Sequence, residues 1–310
     1  MNIDPLLAVA SFAIGIVVGL TGMGGGALMT PVLVLFFNVP PLTAVSSDLV
    51  SSAVMKPVGS VVHLRRGTVN LDLVKLLCIG SIPGAFSGVL IARALGTGQQ
   101  VQDVIRMALG VALLLAAAGL TVRAYIRLSE HARRRDGSAD PLPQGPPSVI
   151  LRPVPTVVLG ALGGIVVGLT SVGSGSLIII ALMTLYPTLK ASELVGTDLV
   201  QAVPLVASAA LGHILFGDFK LDLTTSLLVG CLPGVWLGAH LSARASGGLV
   251  RRALAFVLLA SALKLLNVSN RNTAIALALV LLIAPLLWML VRRHHGFPAF
   301  ARRSSAKNSG

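Results

Sequence analysis

The string Gly15-Ile16-Val17-Val18-Gly19-Leu20-Thr21 returns unchanged, roughly half the chain later, as Gly164-Ile165-Val166-Val167-Gly168-Leu169-Thr170. Each copy runs into a break of small residues, Gly22-Met23-Gly24-Gly25-Gly26 in the first and Ser171-Val172-Gly173-Ser174-Gly175 in the second. Both copies lie in long apolar runs, so what has been duplicated is membrane-embedded structure. Internal repeats with helices interrupted at corresponding positions are typical of secondary transporters.

Composition supports a membrane setting. The chain is 55% hydrophobic and only 11% charged, where soluble domains carry about 25% charged residues. Apolar runs fall near 6–37, 43–64, 71–95 and 103–124, then near 154–187, 193–216, 221–243, 249–267 and 273–291. The expected class is all-α and polytopic. The net charge of +13 does not indicate nucleic-acid binding, because the basic residues sit between apolar runs and no aromatic-interleaved basic patch accompanies them. Cys78 and Cys231 fall inside apolar runs and read as packing residues. The N-terminus lacks the basic region of a cleaved signal, so the first apolar run is expected to be retained.

With one residue inserted, the repeat continues. Asp48 aligns with Asp198, His63 with His213, and Leu71-Asp72-Leu73 with Leu221-Asp222-Leu223; Gly80, Pro83, Gly84 and Gly88 align with Gly230, Pro233, Gly234 and Gly238. The expected organisation is a first membrane repeat over 1–128, a polar linker over 129–152, a second repeat with one extra helix over 153–293, and a basic tail over 294–310. Basic residues at Arg65-Arg66, Arg123 to Arg135, Arg244 to Arg252, and Arg292 onward mark cytoplasmic ends. All four fall on one side if each broken segment enters and leaves by the same face, or crosses twice. The arms beside each break are short for a core of about 30 Å, which favours a re-entrant hairpin. One hairpin plus three spans per repeat then inserts the halves with opposite orientation.

Non-helical backbone at membrane depth persists only where it is buried in protein or lines a watered cavity. A helix starting near Gly26-Ala27-Leu28, or near Gly175-Ser176-Leu177, would aim backbone N–H groups and its positive end at that cavity, which suits an anion. The expected substrate-binding residues are therefore Thr21, Gly22, Gly24, Gly25, Gly26, Thr170, Ser171, Gly173, Ser174 and Gly175, with Ser47 and Thr197 on the following helices. The competing reading is that these small residues only let helices pack closely.

Asp48, Ser52 and Lys56 are spaced to share one helix face. Charges at this depth cost roughly 2.5–3.5 kcal/mol each on insertion scales, so the stripe should face protein or water. Lys56 has no mate in the second half, where Val206 stands, and is the expected fixed cation; its alternative role is an ion pair with Asp48 or another acid. Asp48 and Asp198 are proton-coupling candidates, or else capping groups. His63 and His213 are expected as interfacial anchors. Glu193 and Lys264 are expected to reach water, and Asp72 and Asp222 to cap helices. Enzyme signatures, cofactor fingerprints, a P-loop and metal-ligand spacings are all missing from the sequence. The expected partners are a small anion and the lipid bilayer, with no nucleic acid, cofactor or metal.

Gly22-Met23-Gly24-Gly25-Gly26 with Pro31, Ala44-Val45-Ser46-Ser47-Asp48-Leu49 with His63 and Gly67-Thr68-Val69, and Val195-Gly196-Thr197-Asp198-Leu199 with Gly212-His213 resemble the TauE/SafE-type sulfite exporter family, also called the toluene sulfonate uptake permease family. The resemblance spans about residues 10–290. It implies a bacterial inner-membrane carrier of sulfite, thiosulfate, sulfonates or similar sulfur-containing anions, with proton coupling left open; the repeated architecture itself suggests alternating access. The second half departs from the pattern, with Ser171 and Ser174 in place of glycines and Ile180 in place of the proline. A cation or proton carrier built on Asp48 and Asp198 is the rival function, and a non-transporting membrane scaffold is a third.

Overall fold

The computed structural model describes residues 3–21, 25–65, 67–96, 98–135, 150–173, 175, 177–189, 191–241 and 247–294. Among these the chain forms eleven α-helices: α1 (Pro5–Thr21), α2 (Gly26–Phe36), α3 (Pro41–Arg65), α4 (Leu71–Ala94), α5 (Gln99–Arg135), α6 (Pro153–Thr170), α7 (Leu177–Leu185), α8 (Ala191–Phe216), α9 (Leu221–Leu241), α10 (Gly247–Leu265) and α11 (Asn270–His294). The fold is all-helical, and six helices (α4, α5, α6, α8, α9 and α11) carry segments long and apolar enough to cross a membrane. The α3 helix has the length, but its serines, Asp48 and Lys56 lower its hydropathy. Most of the expected linker and tail lie outside the described residues. The α5 helix runs on to Arg135, because no helix breaker appears before Asp136-Gly137.

Both apolar runs that contain a break are split at it. The short arms α2, with 11 residues, and α7, with 9, reach only about 17 and 14 Å at 1.5 Å per residue. The two ends of the α6–α7 segment lie together. The Tyr186 hydroxyl, just past α7, is 2.5 Å from Thr156 Oγ1 in the first turn of α6 and accepts a hydrogen bond from Arg152 N–H at 3.0 Å. The start of α1 and the first turn of α3, which follows α2, both approach the α8–α9 region. Asp4 N–H donates to Ser226 Oγ at 3.1 Å, and the Thr43 hydroxyl bonds to Asp218.

Contacts between the halves come in matched pairs. The α1 helix packs along α9, and its counterpart α6 packs along α4; α3 crosses α8, and α5 packs on α10. The duplicated string lies in the first kind of seam. A Cβ on Gly15 would stand 2.7 Å from the Cys231 carbonyl oxygen, and one on Gly19 would stand 2.3 Å from that of Val235. In the corresponding seam, Gly164 and Gly168 approach the Ser81 and Ala85 carbonyls to 2.5 and 2.2 Å by the same measure. The glycines inside the string are packing residues that bring helices of opposite halves together at backbone distance.

Asn70, not Asp72, caps α4. Its side chain accepts Leu73 N–H at 3.0 Å, from the extended backbone that a cap position requires. Asp72 lies inside the first turn and pairs with exposed Lys75 at 3.0 Å. Asp222 likewise sits within the first turn of α9.

Candidate functional site

Helices α3 and α8 run antiparallel through the centre. At one end His213 Nδ1 lies 2.8 Å from Ser46 Oγ, and further along the Ser60 hydroxyl donates to the Leu199 carbonyl at 3.0 Å. The α3 stripe faces this interface, and Ser47, Asp48, Ser51, Ser52, Lys56 and Ser60 are all buried. So are Thr197, Asp198 and Gln201 on α8.

Each carboxylate meets a helix break. Asp48 Oδ2 accepts hydrogen bonds from the Thr30 hydroxyl of α2 at 3.0 Å and from the Ser171 hydroxyl of the second break. The backbones of the two breaks touch, since a Cβ on Gly26 would stand 2.0 Å from the Ser171 carbonyl oxygen. Gly25 faces α3, and a Cβ there would lie 3.4 Å from Asp48 Oδ1 and 3.7 Å from Ser52 Oγ. On the other side, Gly175 N–H donates to Asp198.

The charges alternate in sign. Lys56 interacts with Asp198 first and with Asp48 second, and Asp198 interacts with Lys56 and with Arg123 of α5. Arg123 Nη1 also donates to the Gly175 carbonyl at 3.3 Å. Gly175 therefore holds Asp198 through its N–H and Arg123 through its C=O. The order is Asp48, Lys56, Asp198, Arg123, two negative and two positive.

The sequence reading placed Arg123 in a cytoplasmic charge cluster, so this member of the site went unrecognised. Arg123 follows a long apolar run, which is where topology signals also stand. Its partner becomes visible only when α5 packs on α7.

The second break is shaped by local chemistry. Ser171 takes the left-handed conformation (φ 60°) that closes α6, and its N–H returns to the Val167 carbonyl at 2.7 Å. Gly173 and Gly175 have φ of 137° and 96°, values that disfavour any side chain. Thr170 Oγ1 donates to Val166 O at 2.6 Å and accepts Val172 N–H at 3.2 Å, stitching the turn. At the start of α7, Leu177 and Ile178 both donate to the Gly173 carbonyl, at 3.0 and 3.3 Å.

The remaining expected residues are more scattered. Thr21 donates to Val17 O at 2.8 Å within its own helix. The Thr197 hydroxyl accepts Asn70 N–H at 3.0 Å and so serves the α3–α4 turn. Gly22, Gly24 and Ser174 lie outside the described residues.

Five buried polar atoms around α3 and α8 have no hydrogen-bond partner among the described residues: Ser47 Oγ, Asp48 Oδ1, Ser52 Oγ, Asp198 Oδ1 and Gln201 Oε1. Leaving such a group unsatisfied costs about 1–3 kcal/mol. Their concentration around α3 and α8 makes this the candidate site among the described residues.

Two interfacial expectations are corrected. His213 is 0% exposed. Its Nε2 lies 2.8 Å from the Gly168 carbonyl, which only accepts, so Nε2 carries the hydrogen. Because α8 continues to Phe216, His213 is enclosed by α3 and α6 instead of meeting the interface. Glu193 is 8% exposed and does not reach into water. His63 does stand at the end of α3, with Nδ1 3.0 Å from Thr68 Oγ1, and Lys264 is half-buried and bonded to Asn270.

The helices and their buried charges define a multi-pass membrane protein with a polar centre at paired helix breaks. The chain belongs to the sulfite exporter TauE/SafE family, whose pattern matches residues 7–265, and is a membrane transporter of that family. The match ends with α10 and leaves α11 outside it. The chain is 39% identical over 254 residues to the probable membrane transporter protein YjnA of Bacillus subtilis (strain 168), covering 82% of this chain and 96% of that one. It is 27% identical over 235 residues to the probable membrane transporter protein YdhB of the same organism, covering 76% and 88%. No solved structure matches significantly.

Proposed function

We propose that the protein is a secondary transporter of small sulfur-containing anions such as sulfite, thiosulfate or organosulfonates. The family description names sulfite, and the centre has the chemistry an oxyanion needs. The observation that carries the reading is Lys56, 7% exposed in an apolar bundle and flanked by buried hydroxyls of the same helix face. A fixed cation at that depth is costly; Asp198 and Asp48 offset it in the empty centre, and in this reading an entering oxyanion takes over part of that pairing. Ser47 and Ser52 supply donors, and Gly25 leaves room beside them.

The broken segments act as hairpins in this reading, one entering from each face. The pairing of Tyr186 with Thr156 supports a return to the starting face, and the shortness of α2 and α7 supports it again. With the basic clusters cytoplasmic in the bacterial inner membrane, the halves are inverted, and alternating access rocks one against the other around α3 and α8. Asp48 and Asp198 provide the proton coupling.

The test is flux in proteoliposomes. Lys56→Met should fold and lose sulfite and methanesulfonate transport, whereas Asp48→Asn and Asp198→Asn should keep an anion flux with altered proton dependence. If Lys56→Met transports normally and both Asn variants transport nothing, the carrier moves a cation instead. That rival draws on the carboxylate oxygens Asp48 Oδ1 and Asp198 Oδ1, which have no described partner.

A further inference from the structure

The two carboxylates of the centre are held differently. Asp48 Oδ2 is clamped by two hydroxyls, one from α2 and one from the second break, so its place is structural as well as electrostatic. Asp198 has Gly175 N–H, Lys56 and Arg123 around it, with Oδ1 buried and unbonded among the described residues. A backbone N–H just before a helix start, together with a Lys and an Arg, is the environment that proteins build for a bound oxyanion. Here a side chain of the protein occupies it.

We propose that the Asp198 carboxylate is a tethered stand-in for the transported anion: substrate and ionised Asp198 compete for Gly175 N–H, Lys56 and Arg123, and each anion that binds is accompanied by a proton taken up on Asp198. The inference rests on the anion-transport reading and adds the order of events to it.

Charge balance makes the exchange necessary. The groups facing Asp198 are Lys56 from α3 and Arg123 from α5, and Lys56 also faces Asp48. With all four ionised, the empty centre is neutral. A monoanion entering beside an ionised Asp198 leaves one uncompensated negative charge in a buried site, which is strongly unfavourable. One proton from water on a carboxylate oxygen converts Asp198 to a neutral acid and restores balance. The acid gives up its claim on the two cations and gains an O–H to donate to the anion. Asp48 is the poorer proton acceptor for this purpose, because its Oδ2 anchors Thr30 and Ser171 and does not lie on the Gly175 cradle.

The experiment uses the full-length protein in detergent or nanodiscs, with methanesulfonate and ethanesulfonate as probes because each carries a single negative charge throughout pH 5 to 8. Calorimetry in buffers of different ionisation enthalpy counts the protons bound with the anion. Wild-type protein should take up protons on binding, with affinity falling by up to about tenfold per pH unit for each linked proton. Asp198→Asn should bind at least as tightly at pH 8 as wild type does at pH 5, with little pH dependence. Asp198→Asn that folds and binds more weakly than wild type at every pH would overturn the proposal and make Asp198 an ordinary ligand. Binding by wild type without proton uptake overturns it too, and decides the matter alone if the variant does not fold. If wild type binds neither probe at any pH and moves neither across a bilayer, the anion-transport reading itself is lost, and this inference with it.

Discussion

The Ser171 hydroxyl, at the turn that ends α6, donates to Asp48 on α3 of the opposite half. One hydrogen bond thus joins the second helix break to the helix that carries Lys56. Motion of either half about this contact must break it, remake it or carry it along.

Ser171→Ala should therefore lower stability and disturb transport together. A hydrogen bond to a charged group contributes about 1.5–3 kcal/mol. The melting temperature in detergent should fall by an amount consistent with that range, and flux should fall as well. Ser171→Thr keeps the donor and should recover part of both; equal loss in Ala and Thr would assign the effect to backbone strain at the left-handed position.

Two adjacent glycines should respond in opposite ways. A Cβ at Gly26 would stand 2.0 Å from a backbone oxygen of the other break, so Gly26→Ala must push the breaks apart, at about 1–3 kcal/mol. At Gly25 the nearest atom is the flexible end of Met55, at 3.1 Å, and the added methyl lies beside Asp48 Oδ1 and Ser52 Oγ. Gly25→Ala should fold normally and bind anion more weakly. Denaturation and binding curves on both variants separate the outcomes, and a Gly25→Ala protein with unchanged affinity would remove Gly25 from the site.

The duplicated string packs helices of opposite halves, a role that the same kind of measurement isolates. Gly19→Val and Gly168→Val insert methyls against backbone atoms in corresponding seams. Each should destabilise by about 1–3 kcal/mol without altering the affinity of the protein that remains folded. A selective loss of affinity in either would mean that the string contributes to the site directly.

The breaks, the repeat and the α3 stripe were legible because each is written locally: glycine clusters interrupt apolar runs, and Asp48, Ser52 and Lys56 recur at the helical spacing. His213 and Glu193 were misread, and the contact of Arg123 with the second break was missed, because an ionisable residue near the end of an apolar run looks the same whether it faces water or another helix. The difference lies in tertiary structure. Arg123 is half-buried where α5 reaches Gly175 of the opposite half, while Ser46 of the opposite half and Gly168 of α6 close over His213. Asn70 was missed for a smaller reason: an aspartate two residues later offered the same capping chemistry, and only backbone geometry chooses between them.

The hairpin reading makes a topological prediction that needs no substrate. In a background with Cys78 and Cys231 replaced by Ala, single cysteines at the exposed positions Ile3 and Asn38 flank the α1–α2 segment, and cysteines at exposed Arg152 and Pro187 flank α6–α7. An impermeant maleimide added to one side of oriented vesicles should label the first pair together and the second pair only from the opposite side. Labelling of Ile3→Cys and Asn38→Cys from different sides would mean that α1 and α2 jointly cross the bilayer. The two halves would then share one orientation, and the contact between Gly26 and Ser171 could not be the meeting of hairpins from opposite faces.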